Sequence, residues 1–171
     1  MKTKLAFLIL IATFATTAHA SKTILPDACG DEKVQFDIQT KKDQPAPAAP
    51  EEGKAQIIFI ETFRQIGHLG TPEARFGMDG AWVGAFKHNS YFSVSVNPGE
   101  YHACANLQSV TALGKVVAFA QVTAEAGKVY YLGTRARIIG GTTRLEIEPI
   151  DVDQAKYLIT SSPLSVSQPK E

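Results

Sequence analysis

Tight-turn signals punctuate this chain so closely that it has room for short strands and little else. Asp79-Gly80, Asn97-Pro98-Gly99-Glu100, Ala126-Gly127-Lys128 and Gly140-Gly141 combine residues that preset or tolerate turn dihedrals. Between them apolar residues alternate. Over 90–96 (SYFSVSV), Phe92, Val94 and Val96 face one way and Tyr91, Ser93 and Ser95 the other, the period of a half-buried strand. Residues 33–39 repeat it with Val34, Phe36 and Ile38, and 144–150 with Leu145 and Ile147 against Glu146 and Glu148. The run 54–61 (KAQIIFIE) fills both faces, as in a strand covered on both sides. Further strands are expected over 74–78, 81–86, 101–107, 116–122 and 129–139. Only 151–158 (DVDQAKYL) carries a helical pattern, with an acid at its start, where the helix dipole favours one. The expectation is an all-β fold: an antiparallel β-sandwich with one short C-terminal helix.

The first 20 residues stand outside that pattern. A basic start (Lys2, Lys4), an apolar run over 5–15 and the small-x-small triplet Ala18-His19-Ala20 make a secretory signal peptide, cleaved after Ala20. The run is shorter than the roughly 20 residues of a spanning helix. Ser21, not a cysteine, follows the cleavage site, so no lipid anchor is expected. The mature chain is expected in the periplasm or the medium, without a transmembrane span. With 17 basic and 17 acidic residues, the full sequence lacks the basic excess of a nucleic-acid binder. Residues 21–53 read as an N-terminal strand segment and a Pro-rich linker (KKDQPAPAAPEEG), 54–160 as the sandwich, and 161–171 as a flexible polar tail.

Both cysteines, Cys29 and Cys104, survive cleavage, 75 positions apart. An even count in an oxidising compartment reads as one disulfide, here tying the N-terminal segment to the core. A redox pair would favour C-x-x-C, and a thiolate metal site needs more ligands nearby.

The stretch Asp79-Gly80-Ala81-Trp82-Val83-Gly84-Ala85-Phe86, then Ser90-Tyr91-Phe92, then Asn97-Pro98-Gly99-Glu100-Tyr101-His102, and later Ala126-Gly127-Lys128-Val129-Tyr130-Tyr131-Leu132, has a recognisable order. With Cys29-Gly30 and Cys104, it resembles the exported members of the bacterial family known as domain of unknown function 2846. It is more distantly similar to PEGA-type and carboxypeptidase-regulatory-like sandwich modules. The resemblance spans roughly residues 28–165. It implies a small exported sandwich and carries no activity with it.

Candidate chemistry is sparse. After cleavage the histidines are His68, His88 and His102, without metal-pair spacing. His102 lies two residues from Cys104, so a Cys–His nucleophile pair is conceivable only if the disulfide is absent. Glu146, Glu148, Asp151 and Asp153 crowd together, but Pro149 and Ile150 interrupt them where a calcium loop would curl. Arg135, Arg137 and Arg144 converge across the Gly140-Gly141 hairpin, either to take an anion or glycan or to pair with Glu146 and Glu148. The pairing is favoured. Trp82, Tyr91 and Tyr130 are candidates for an aromatic patch facing a partner, or for core. No catalytic residue, cofactor or metal is assigned. The leading expectation is a non-enzymatic binding or structural module of the bacterial envelope, with an envelope protein or small ligand as partner. The alternatives are a carrier holding an apolar or anionic ligand between the sheets, and a hydrolase.

Overall fold

The computed structural model describes residues 27–62, 73–87, 89–108 and 116–170. The stretch read as a signal peptide, His68 and His88 lie outside them. The chain is all-β with one short helix, in two packed sheets. The strands are β1 (Phe36–Lys41), β2 (Ala55–Glu61), β3 (Ala74–Met78), β4 (Ala81–Phe86) and β5 (Tyr91–Val96). They continue with β6 (Gly99–Leu107), β7 (Val117–Ala124), β8 (Val129–Ile139), β9 (Thr142–Pro149) and β10 (Leu164–Pro169). The helix α1 (Val152–Ser161) lies between β9 and β10. The larger sheet has the order β1-β10-β5-β2-β8-β9, and the smaller β4-β3-β6-β7.

Turn chemistry sets two hairpins. Asp79 and Gly80 join β3 to β4 with φ of 47° and 86°, and Gly140 and Gly141 join β8 to β9 with φ of 58° and 78°. Two successive positive φ values match the right-handed twist of the flanking strands. The alternation then delivers Ile57, Phe59, Phe92 and Leu132 from the larger sheet against Phe76, Phe86, Ala105 and Leu107 from the smaller. Phe76 stands 4.7 Å from both Phe59 and Phe86, ring centre to ring centre, and Phe92 is 5.0 Å from Phe59. These rings fill the space between the sheets, so the expected carrier cavity has no room where they pack.

The expected antiparallel-rich sandwich holds with one central exception, and two boundary readings are corrected. Pairing is not wholly antiparallel: β2 and β8 run parallel, Gln56 to Glu61 against Val129 to Thr134. This pair is central, and where the two strands meet, residues 57–60 and 129–132 are apolar on both faces. Residues 161–171 are no flexible tail: Ser161 ends α1, and β10 pairs with β1 from Phe36↔Pro169 to Lys41↔Leu164. The boundary at 53/54 does not separate an N-terminal segment from the sandwich either, because β1 is a strand of the larger sheet. Serines explain why β10 reads as polar. Ser165 Oγ donates to the Ala85 carbonyl (2.8 Å) and the Ala85 N–H donates to Ser167 Oγ (2.9 Å). Two hydroxyls thus replace ladder bonds where β10 meets the edge strand β4. Residues 42–53 carry no strand or helix, as their prolines require.

Residues 27–35 strap the outer face of the smaller sheet. The Cys29–Cys104 disulfide pins the strap, with Cα atoms 5.2 Å apart. Arg75, 2% exposed, rises from β3 beneath it. Its guanidinium donates to the carbonyls of Glu32 and Val34 and, through Nε, to Asn106 Oδ1 at 2.9 Å. It also stacks 4.3 Å from the Trp82 ring, a cation–π contact. Burial lowers the Arg75 pKa, and Glu32 and Asp31 oppose that shift. Trp82 Nε1 donates to the Asp31 carbonyl at 2.8 Å.

Candidate functional site

The helix α1 lies on the outer face of the larger sheet. Asp151 caps its start, accepting from the N–H groups of Asp153 and Gln154. Ala155 and Ile159 point down onto Ile58, Ile60 and Tyr91. A ten-residue helix is too narrow to cover the face, and it leaves a groove along each flank.

One groove is apolar and has a volume of about 360 Å³. Ala46, Pro47 and Ala49 of the Pro-rich segment face Ile58, Tyr131 and Ile159 across it. The other is polar, about 740 Å³, and is bounded by Thr62, Asn89, Arg135, Arg137, Gln154 and Ser162, with Glu61 in its wall. That volume falls within the roughly 300–1,000 Å³ range of small-molecule clefts.

Glu61 is the unusual group. It ends β2 on the same side as Ala55, Ile57 and Phe59, so strand alternation carries its carboxyl inward. It is 1% exposed, and neither carboxylate oxygen has a hydrogen-bond partner among the described residues. Loss of solvation pushes its pKa up to about 8, and Glu73 adds to the rise; the nearby amides of Ser90 and Asn89 oppose it without reaching hydrogen-bond geometry. Beside it in the parallel register is Thr134, fully buried, whose hydroxyl also lacks a partner among the described residues.

The arginines behave largely as their spacing suggests. Arg137 Nε is 3.0 Å from Glu146 and Arg135 is 3.9 Å from Glu148, both pairs substantially exposed. Arg144 lies directly opposite Arg137 across the hairpin and is exposed, so three cations face two glutamates on this ribbon. Arg135 and Arg137 reach the polar groove, while Arg144 is not in its wall. Glu146 and Glu148 face arginines and Asp151 accepts at the helix start, and among the described residues no group of three or more acids, histidines or cysteines gathers where it could hold a metal ion.

The aromatic patch does not form. Tyr91 is 2% exposed, beneath α1. Tyr130 is partly buried against the core, its hydroxyl accepting from the Glu125 N–H. Trp82 lies under the strap on the other sheet. Regular alternation would put Trp82 and Phe86 on one face, but the register shifts between Phe76 and Gly77, opposite Val83. That bulge turns Trp82 outward and Phe86 inward. His102 is exposed, 3.6 Å from both Asp79 and Glu100. Cys104 is held in the disulfide, which removes the Cys–His nucleophile.

Sequence reasoning passed over Glu61, Thr134, Arg75 and Asn106. Glu61 had a signal: it continues the inward alternation of the most apolar run. Arg75 and Asn106 had none, because they partner each other across 31 positions and the backbone carbonyls of other segments. The chain matches no family model, no curated protein and no solved structure.

Proposed function

We propose that this chain is an exported recognition module of the bacterial envelope, which binds a small ligand on the α1 face of its larger sheet and performs no covalent chemistry. The polar groove carries this reading. It is cleft-sized, its walls come from β2, β8 and α1, and one wall residue, Glu61, has a buried carboxyl with no partner among the described residues. Native proteins rarely leave such groups unmatched. The N-terminal secretory pattern and the disulfide support export. No helix among the described residues is long and apolar enough to cross a membrane. Likeness to the domain of unknown function 2846 family belongs to the same proposal.

The test is amide NMR on isotope-labelled protein, titrated with small acids, amines, sugars and acyl chains. The expected result is that binders perturb α1, β8 and the end of β2 and are recovered unchanged. Perturbations confined to the smaller sheet, or turnover of a binder, would overturn the reading.

A further inference from the structure

The apolar groove on the other flank of α1 is built to stay open. Its floor is the outer face of the larger sheet, where the parallel register sets Gln56 beside Val129 and Ile58 beside Tyr131. One wall is the helix. Lys156 and Thr160 stand one turn apart on this flank with Ile159, while Gln154, Leu158 and Ser161 line the polar groove on the other. The second wall is the Pro-rich stretch 46–49. Pro45, Pro47 and Pro50 fix the backbone there. That wall offers nothing longer than a methyl group or a proline ring, so the gap of about 360 Å³ stays unfilled.

Charge selects the occupant. Among the described residues lining this groove, Lys156 is the one charged side chain, and it joins no ion pair with a described residue. Asp153, one turn earlier on α1, is not in the wall, and Glu51, beyond the Pro-rich stretch, is paired with Lys54. The Tyr131 hydroxyl and the Gln56 side-chain amide line the same groove without hydrogen-bond partners among the described residues. An apolar groove with a few polar groups at its edge is the usual form of a small-molecule site. A hydrocarbon chain matches its floor, and an anionic head matches its donors. An amine would meet like charge. We propose that this groove binds one medium-chain acyl carboxylate as the free monomer, its chain over Ile58, Val129 and Ile159 and its carboxylate at Lys156. The chain is held outside the sandwich, whose interior Phe59, Phe76 and Phe92 fill. The site is separate from the polar groove and does not depend on it.

The experiment is titration calorimetry with amide NMR, using octanoate beside hexanoate, octanol and octylamine at neutral pH, all below micelle-forming concentrations. Octanoate should saturate at one per chain and shift the amides of Ala46, Ala48, Ala49, Gln56, Tyr131 and Lys156. Each added methylene up to octanoate should tighten binding about three- to fourfold. Lys156→Gln should weaken octanoate about fivefold and leave octanol unchanged, and Lys156→Glu should transfer the preference to octylamine. Ala49→Leu should fill the gap and abolish binding. Lys156 and Ala49 are exposed, so these variants keep the core intact, and circular dichroism checks that they fold. Binding that never saturates, octylamine binding as tightly as octanoate, or variants without effect would overturn the proposal. Octanoate shifts confined to Thr62, Asn89 and Arg135 would also overturn it and would favour the polar groove. Saturable binding here, with every small ligand failing at the polar groove, would leave this proposal standing without that one.

Discussion

Glu61 and Arg75 are both nearly withdrawn from water, 1% and 2% exposed, and they meet that burial in opposite ways. Arg75 keeps its charge by donating to Glu32, Val34 and Asn106 and stacking on Trp82. Glu61 has no such partners among the described residues, and the cheaper course is to hold its proton. The consequence for stability has a definite sign. The unfolded chain releases this proton near pH 4.5 and the folded chain near 8. Between those values the unfolded state binds fewer protons, so stability falls as pH rises. The contribution is complete below the lower value and lost above the upper, at roughly 1.4 kcal/mol per pH unit. In Glu61→Gln this component should vanish. Urea midpoints between pH 5 and 8 should therefore fall for the wild type and stay flatter for the variant; parallel curves would show that Glu61 does not titrate in this window.

At the scale of elements, closure of the sandwich depends on strands that look least like strands. The strand β10 is Leu-Ser-Val-Ser-Gln-Pro, and its serines bond both backbone groups of Ala85. Gln108 does the same for β1: its amide donates to the Phe36 carbonyl (3.0 Å) and accepts from the Phe36 N–H (3.1 Å). Replacing both serines with alanine should leave the Ala85 groups unpaired at about 1 kcal/mol per lost bond. Chemical denaturation should show a loss of roughly 2 kcal/mol, with faster amide exchange at Ala85. No change in either would mean that water substitutes for the hydroxyls. The same element scale explains what could be read in advance. The strands β3 and β4 match their expected bounds, 74–78 and 81–86, because local alternation and turn residues define them. The helix was placed by its cap, and runs on to Ser161. The strand β10 was missed because its hydrogen-bonding partners are some 80 residues away.

The whole molecule is held at its N-terminal side by one covalent tie. Cys29 and Cys104 enclose 75 positions, and closing a loop of that length removes about 4–5 kcal/mol of unfolded-state entropy in the chain model. Intact-mass measurement should find no free thiol before reduction and two after. Reduction should lower the melting temperature and raise exchange over 27–35 first, since the strap depends on Cys29, Arg75 and Trp82. Two free thiols beforehand, or reduction without effect on the strap, would contradict that account.

Local patterning alone determined the all-β class, most strand positions, the capped helix, the single disulfide and the preference of Arg135 and Arg137 for glutamates. Periodicity, turn dihedrals and opposite charges on paired strands act over a few residues, so they are written in a few residues. Tertiary structure decided the rest. It paired β2 with β8 in parallel, made β10 a strand, separated Trp82, Tyr91 and Tyr130, and buried Glu61 beside Thr134 where β2 ends. Each of these depends on which distant segment removes a group from water, and burial of that kind has no local signature.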